Sequence, residues 1–600
     1  MVRALTTIEL QLMRHNAMTT SNIMSMPQDI FVKRSDPVYM AHAYLTKVPL
    51  AAIEPFISAF TNPGDIVVDP FAGSGMTGIA AALLGRRTRL FDISVLGQHI
   101  GLNYVNLVEP LHLTKAAWQA VEDVRRRLGD LYGITCSRCG SEHATLSKTT
   151  WSVVVRCPSC SSPVNFYRAL ETAEWQKSRV KCPTCDTGIT SKAVRIDEEA
   201  VLDSIVCTCS PTQIDQPPQA ASKASFSFEG LRWPDVEIPS DRQMYQASAL
   251  GKHGLTTVAS FYSTRNLAAL AALRDAIDHV EDEALQHKLT FAFTAILTRA
   301  SKRYQWSHKR PLNAANANYY IAPVFYEWNV FDLFLRKVGA AIRSDEWLIA
   351  RHAEATGKSE FDPDVTYELA SAESIPLPDN SVDYVFTDPP FGSNLFYADM
   401  ALFQEGWLGT FTDHTLEAVI DRGNRKKRDG NRYEQLLTAA LKECRRILRP
   451  GGYTTMVFGN SSGAVWALVQ RAVRAAGLVI EPGSVVILNK GQRSVKGLAS
   501  GFENVATMDL IVSMRERRAN DPDTEHAPPV LEIEHAISVI LDNRLADSPS
   551  HLYLELLRHG IAEGWDLSSL DLRLITQTLK AKGWDVDPTS GRFVELDTLP

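Results

Sequence analysis

Apolar residues follow two rhythms along this chain of 600 residues. Short runs such as "GDIVVD" (Gly64–Asp69), "TRLFDIS" (Thr88–Ser94) and "SVDYVFT" (Ser381–Thr387) are almost continuously apolar. That is the pattern of strands covered on both faces in a parallel sheet. Longer stretches repeat apolar positions every three or four residues, the pattern of helices buried along one side. These include "LHLTKAAWQAVEDVRRRLGDLYG", the stretch from Ser263 to Tyr304, "YEQLLTAALKECRRIL" and "GAVWALVQRAVRAAG".

Taken in order, the two rhythms predict an α/β fold. A first strand enters a Gly-rich turn and a small-residue helix, "MTGIAAALLGRR", that stops at Gly85; a second strand ends near Asp92. This is the opening βαβ unit of a doubly wound, Rossmann-like sheet. The alternation stops near residue 111 and resumes at "SVDYVFTDPPF". Helices and the strand-like stretches "RPGGYTTMVFGN", "LVIEPGSVVILNK" and "NVATMDLIVSMRE" then complete the sheet. The expected organisation is a sheet domain in two halves, 1–110 and 366–520, with a loose arm of about 25 residues at the start. An insertion over 111–365 splits the halves. It holds a Cys-rich part at 134–210, the linker "SPTQIDQPPQAASKAS" and a helical part at 245–345, a candidate target-recognition region. Beyond the polar linker "RRANDPDTEHAPP", residues 530–600 read as a C-terminal helical region.

Composition adds few exclusions. Hydrophobic residues at 45% and charged residues at 22% suit an ordinary globular chain with a large core. A net charge of −7 argues against a uniformly basic nucleic-acid coat but leaves room for local basic patches. No apolar run reaches the roughly 18 residues of a membrane span, and the N-terminus lacks the apolar core of a secretion signal. A cytoplasmic location and no membrane partner are therefore expected.

Eight of the nine cysteines lie between Cys136 and Cys209. In a reducing compartment such a cluster reads as metal ligands. Cys136-x₂-Cys139, seventeen residues and Cys157-x₂-Cys160 have zinc-ribbon spacing; Cys182-x₂-Cys185, twenty-one residues and Cys207-x-Cys209 form a second, less regular set. Four thiolates per ion would close one or two structural zinc sites. Nested pairing of the knuckles, free buried thiols and a redox pair stay open.

Two motifs carry chemistry. "DPFAGSGMTG" (Asp69–Gly78) matches G-x-G-x-x-G through Gly73, Gly75 and Gly78, and Asp92 fits the acid that follows about 20 residues on to hold a ribose. However, Asp69 stands directly before the loop. A carboxylate there would repel a pyrophosphate but suits a cofactor with a cationic amino-acid end, such as S-adenosyl-L-methionine. "TDPPF" (Thr387–Phe391) follows an apolar strand, so it falls at the carboxyl edge of the sheet, where open α/β folds bind ligands. Its prolines fix the backbone and leave nearby carbonyls to accept hydrogen bonds. With the Asp388 carboxylate and the Phe391 ring they suit a planar base bearing an exocyclic amino group.

Together, "DPFAGSG" and "TDPPF" resemble the DNA amino-methyltransferases that act on N-6 of adenine or N-4 of cytosine. The supporting stretches "HAYLTKVP" (His42–Pro49), "RCPSC", "FYSTRNLAAL" and "FYADM" make the chain most similar to adenine-specific methylases that carry a zinc ribbon. The resemblance implies that Asp69, Phe71, Gly73 and Gly75 frame the methionine part of S-adenosyl-L-methionine, with His42–Pro49 packed over it. It implies that Asp92 holds the ribose, that Glu373 lies at the adenine end, and that Asp388, Pro389, Pro390 and Phe391 form the catalytic pocket. Asp at the first position of the motif favours adenine. In one respect the chain departs from the family: loop-first members often place target recognition just before D-P-P, whereas here the insertion begins soon after Asp92 and ends before Glu373.

DNA is the expected partner. Basic stretches that could reach its phosphates are "DRGNRKKRDGNRY", with Arg422, Arg425, Lys426, Lys427, Arg428 and Arg432, and "SKRYQWSHKR". In the latter, Lys302, Arg303 and Arg310 accompany Tyr304 and Trp306. Such enzymes often serve restriction–modification or phage defence, and with no nuclease motif in this chain, cleavage would need a partner protein. Competing readings are an N-4 cytosine enzyme, an RNA guanine amino-methyltransferase and a zinc-ribbon nucleic-acid-binding scaffold. A nicotinamide-dependent oxidoreductase would leave TDPPF without a role.

Overall fold

The computed structural model describes residues 26–33, 35–190, 193–219, 229–308, 319–392, 395–420, 429–490, 508–521, 526–527 and most of 530–595. The central sheet has nine strands: β1 (Asp29–Phe31), β2 (Ile66–Asp69), β3 (Arg87–Asp92), β4 (Val365–Leu369), β5 (Val382–Thr387), β6 (Leu448–Phe458), β7 (Leu478–Ile480), β8 (Val486–Asn489) and β9 (Asp509–Glu516). They lie in the order β1-β8-β9-β6-β5-β2-β3-β4, with β7 beside β9. β9 runs antiparallel to β6, β7 and β8; the other pairings are parallel.

The two halves of the sheet join where β5 meets β2, with Tyr384 opposite Val67 and Val385 opposite Val68. The Asp383 carboxylate accepts from the Ile66 N–H at 2.8 Å and pins that register. Side chains alternate faces with a period of two. Val67, Tyr384, Phe386 and Val457 point to one core with helices Leu50–Phe60 and Met76–Leu83. Val68 and Val385 point to the other face, against Cys444 and Ile447 of helix Gly430–Ile447. That helix buries Tyr433, Leu436, Leu437, Ala440, Leu441, Cys444 and Ile447, a stripe at three- and four-residue spacing.

The Cys-rich and helical parts of the insertion share one sheet and one core. Strands Ala144–Arg156 and Arg195–Val206 form a long antiparallel ribbon. Strand Val324–Trp328, from the helical part, pairs with Ala144–Arg156 and extends it. Helices Thr264–Asp278, Glu283–Thr294 and Val330–Thr356 pack beside it. The C-terminal helices Val530–Asp542 and Pro549–Ala562 are continuous with the core on the second face of the central sheet, where Leu552 and Leu556 join Trp466 and Val512. Gln470 ties them down: its amide donates to the Trp565 carbonyl at 2.9 Å and accepts from Leu567 N–H at 3.0 Å. A two-stranded hairpin, Trp584–Val586 with Phe593–Glu595, follows.

Lys288, one partner of a buried ion pair inside the insertion, also ties the insertion to the sheet domain. Lys288 donates to Asp345 at 2.8 Å and to the Asn103 carbonyl at 2.7 Å, with side-chain exposures of 1% for Lys288 and 5% for Asp345. Removing one partner strands a buried charge, which costs about 3–5 kcal/mol. Lys288→Ala should therefore lower the thermal unfolding midpoint at neutral pH. Burial holds Asp345 up to about 6 even with Lys288 present. Acidifying below that value neutralises it, so the deficit should shrink in acid. Calorimetric scans of both proteins at two pH values check this; an undiminished deficit in acid would remove the stranded charge as its cause.

Candidate active site

The carboxyl ends of β2, β3 and β5 open into one cavity. Among the residues expected from sequence, Asp69, Phe71, Gly73, Asp92, Asp388 and Pro390 line it. Gly75, Glu373, Pro389 and Phe391 stand outside that lining.

Asp69 ends β2 and is buried. It accepts from the Phe71 N–H at 3.0 Å and the Thr77 hydroxyl at 2.6 Å, so it clasps the loop to the following helix. Burial holds its carboxyl up to about 7. Gly73 and Gly75 adopt φ of +50° and +79°, a region side chains disfavour. A Cβ on Gly75 would also stand 2.9 Å from the Gly101 Cα. Asp92 grips the loop from β3: its two oxygens accept from the Gly73 N–H at 2.8 Å and the Ser94 N–H at 2.9 Å. Burial raises its pKa too. Gly78 meets Leu90 at 2.7 Å from its would-be Cβ, a packing contact.

Sequence reasoning missed several residues around this loop. Tyr367 donates to the Gly73 carbonyl at 2.7 Å, and a Cβ on Gly97 would stand 2.4 Å from that same oxygen. The pair Gly97 and Gly101, four apart on helix Val95–Val105, was the signal for this close approach. The stretch His42–Pro49 does flank the cavity, through Tyr44, Thr46, Lys47 and Val48. Thr46 and Tyr397 hydroxyls lie 2.5 Å apart. Lys47 is buried, donating to the Tyr39 carbonyl at 3.1 Å, the Tyr104 hydroxyl at 2.7 Å and the His42 carbonyl. Burial lowers its pKa to about 7.

Asp388 follows β5 directly. Its Oδ1 is buried and accepts no hydrogen bond among the described residues. Burial pushes the carboxyl up to about 8; Lys490 opposes this, and Asp509 and Asp69 add to it. The carbonyls beside it are not all free, as the prolines alone suggested. Pro390 accepts from the Tyr433 hydroxyl at 2.6 Å and Phe391 from the Asn460 amide at 2.8 Å. Among the described residues the Pro389 carbonyl accepts none. The Phe391 ring packs on Phe458, with centroids 5.1 Å apart.

Other expectations need correction. Glu373 holds Arg432 in a two-pronged ion pair at 2.7 and 2.9 Å, so its carboxylate is engaged outside the cavity. Arg303 is 1% exposed, its guanidinium over the rings of Phe403 and Tyr319 at 4.7 and 5.2 Å. It is a core residue, not a phosphate contact. Lys302 donates to Glu198 at 2.8 Å, and Tyr304 is buried. Trp306 packs against Tyr167 and Trp175. Arg310, Arg422, Arg425, Lys426, Lys427 and Arg428 lie outside the described residues.

The cysteines pair in the nested way. Cys136, Cys139, Cys207 and Cys209 form one cluster, and Cys157, Cys160, Cys182 and Cys185 the other. The sequential grouping fails because the long ribbon Ala144–Arg156/Arg195–Val206 separates the knuckles. Residues 136–139 meet 207–209 at one end of it, and residues 157–160 meet 182–185 at the other. Sγ–Sγ separations of 3.6–3.7 Å match a tetrahedron of thiolates about 2.3 Å from a zinc ion, whose edges are about 3.8 Å. Each cluster could thus hold zinc.

Among the described residues no helix is long and apolar enough to cross a membrane. Residues 9–109 match the family model described as DNA methylase. The chain is 52% identical over 42 residues to the Escherichia coli (strain K12) protein named "Putative methylase YubD", covering 7% of this chain and 18% of that one. It is 35% identical over 86 residues to "DNA adenine methyltransferase YhdJ" of the same organism, covering 14% and 28%. The chain thus spans under a third of either relative's length. A solved complex of the Haloferax volcanii Trm112 methyltransferase activator with a methyltransferase overlays 28% of this chain and 69% of its own, at 14% identity and a TM-score of 0.16, too slight to bear on the fold. The Gly-rich loop and, from the TDPPF motif, Asp388 and Pro390 thus open into one cavity, and residues 9–109, which include the loop, are similar to the DNA methylase family.

Proposed function

We propose that this protein transfers a methyl group from S-adenosyl-L-methionine to the N-6 amino group of an adenine flipped out of DNA. The observation that carries the reading is the buried, unpartnered Oδ1 of Asp388, at the edge of the cavity that the Gly-rich loop also lines. A buried acceptor left without a donor is costly, so a site that keeps one is built for a donor from outside. An exocyclic amino group brings two hydrogens. Asp388 Oδ1 and the Pro389 carbonyl would accept them and draw the nitrogen lone pair out of conjugation with the ring. Tyr433 and Asn460 hold the neighbouring carbonyls, which fixes the backbone of the motif.

The family's methyl donor supplies an electrophilic methyl on a sulfonium. On the chain's side, Gly73, Asp92 and the cover from Tyr44 to Val48 would hold it, and Asp69 keeps the loop in shape. Three carboxyls whose pKa values burial raises, Asp69, Asp92 and Asp388, face this cavity and favour a cation there. Rate gain comes chiefly from holding the two reactants in line. The target base must leave the stack, at a cost of a few kcal/mol. Asp at the first motif position supports adenine over cytosine. A role in restriction–modification or phage defence, with a separate nuclease and in the cytoplasm, is consistent with this activity.

Asp388→Ala should abolish methyl incorporation into duplex DNA, by 10³-fold or more in order of magnitude, while S-adenosyl-L-methionine binding stays within about threefold. A radiolabel assay paired with calorimetric titration reads both. Normal transfer by the variant would overturn the mechanism, and transfer to tRNA but not to DNA would favour the RNA reading.

The nested clusters should carry zinc, about one ion per four thiolates. Cys136→Ser with Cys207→Ser removes ligands from one cluster, whereas Cys136→Ser with Cys157→Ser damages both. Metal analysis should therefore find one ion retained in the first double variant and neither in the second. The opposite ranking would restore the sequential pairing.

A further inference from the structure

Just beyond the TDPPF motif, three strand ends bring together a second set of groups. β8 leads directly into Lys490, β9 begins at Asp509, and β6 is followed by Gly459. Lys490 and Asp509 form an ion pair at 2.5 Å, with side-chain exposures of 9% and 14%. Leu488 and Asp509 are register partners, so the pair closes across adjacent strands. Gly459 makes the room: a Cβ there would fall 2.0 Å from Asp509 Oδ1 and 3.3 Å from the Phe391 ring. Asp509 thus lies beside Phe391, three residues along the motif from Asp388.

We propose that Lys490, anchored by Asp509, is a positioning residue that favours the ionised form of Asp388, the form an acceptor of amino hydrogens needs. The inference rests on the methyltransferase reading above and names a residue outside its motifs. The need is physical. Asp388 is desolvated and faces two other carboxylates, Asp69 from β2 and Asp509 from β9, and the Tyr397 hydroxyl from helix Tyr397–Leu408. The two carboxylates disfavour a further negative charge, while the Tyr397 phenol stays neutral beside them. Lys490 from β8 is the cation acting against them. Were Asp388 to take up a proton, it would present an O–H donor to an amino donor, and the pocket would repel the group it is shaped to hold. Asp509 has a double part. Its own charge opposes that of Asp388, yet by pairing with the ammonium it fixes the cation where Asp388 feels it. Lys490 directly follows β8, where the sequence pattern gives no motif to single it out.

The sign follows from the charge balance. Asp388 already sits high; without Lys490 its pKa rises further, so the ionised fraction at neutral pH falls. The rising limb of kcat/KM for methyl transfer should then move to higher pH. The test compares wild type, Lys490→Met, Lys490→Arg and Asp509→Asn in methyl transfer to duplex DNA from about pH 6 to about pH 10. Lys490→Met should move the limb up by about one pH unit and lower the neutral-pH rate roughly tenfold, with recovery toward wild type in alkali. Lys490→Arg should keep the limb in place. Asp509→Asn, which removes both a repelling charge and the anchor, should move the limb less than Lys490→Met. If Lys490→Met loses activity equally at every pH, or if Lys490→Arg shifts the limb as far, the proposal is overturned.

A second measurement needs no turnover. Binding of cationic S-adenosyl-L-methionine to a site whose carboxyls are part protonated should release protons, read by calorimetry in buffers of different ionisation enthalpy. The pH at which release is greatest should lie about one unit higher in Lys490→Met than in wild type, because its Asp388 has the higher pKa both free and bound. An unmoved maximum would overturn the proposal. A wild type that binds the donor yet methylates no DNA would instead overturn the methyltransferase reading. Matched unfolding midpoints across the four proteins separate either result from misfolding.

Discussion

The pairing of β2 with β5 is the constraint on which the rest depends. The two strands are separated in the chain by the whole insertion, yet two register pairs and the Asp383–Ile66 hydrogen bond fix them side by side. Because they run parallel, Asp69 and Asp388 emerge at the same carboxyl edge, which is where open α/β sheets bind their ligands. A register slip of one residue would turn both strands over and bury the wrong faces, since Val67 and Val68 serve different cores. The cavity is therefore a consequence of sheet topology, with the motifs as its rim.

Such a long detour between paired strands has to be held from outside the sheet. Helix Tyr397–Leu408, which follows TDPPF, is buried from Ala398 to Trp407. Its Asp399 carboxylate meets Arg242 of the insertion at 3.0 Å and accepts from the Met244 N–H at the same distance. Phe403 lies beneath Arg303, also of the insertion. On the other side, Glu405 accepts from Leu96 N–H at 3.2 Å, at the start of the helix that the Gly-rich loop lies against. One helix thus connects the insertion, the helix beside the Gly-rich loop and the TDPPF motif. Such a helix is buried on every side because every face has a neighbour, and its buried polar groups, Asp399 and Glu405, are met by partners from those neighbours.

What the sequence reveals and what it hides follow from the range of the interactions. Continuous apolar runs and turn residues are local, and they disclose the strands, the Gly-rich loop and the TDPPF motif. Cysteine spacing shows metal ligands but not partners, because pairing depends on how far two strands of thirteen and twelve residues separate the knuckles. Arg303 reads as a cation on a basic stretch; only the rings of Tyr319 and Phe403, brought from elsewhere, turn it into core. Glu373 sits where a cofactor contact was expected, but Arg432, fifty-nine residues on, takes its carboxylate. The C-terminal helices look separable because their linker is polar, yet Gln470 and the apolar stripe of Pro549–Ala562 close them onto the sheet. Tyr367, Lys490 and Asp509 carry no pattern of their own and gain meaning only from their neighbours.

The same topology explains the electrostatics. Parallel strands that end together deliver their terminal carboxylates to one desolvated place, and burial then raises the pKa of each. Left alone, such a group would take up protons, as neighbouring acids do when they cannot share charge. Two different cations can relieve it. One is built in, Lys490 beside Asp388 and Asp509; the other would be a ligand bearing positive charge near Asp69 and Asp92. Linkage makes the relief mutual: a cation that lowers the pKa of these carboxyls is bound more tightly as they ionise. On the proposed reading, donor binding and readiness for the acceptor base would be coupled through charge alone, without any movement of the backbone. That coupling gives a reason for the acids to be gathered so closely, since a single isolated carboxylate at either end would leave the two halves of the site independent.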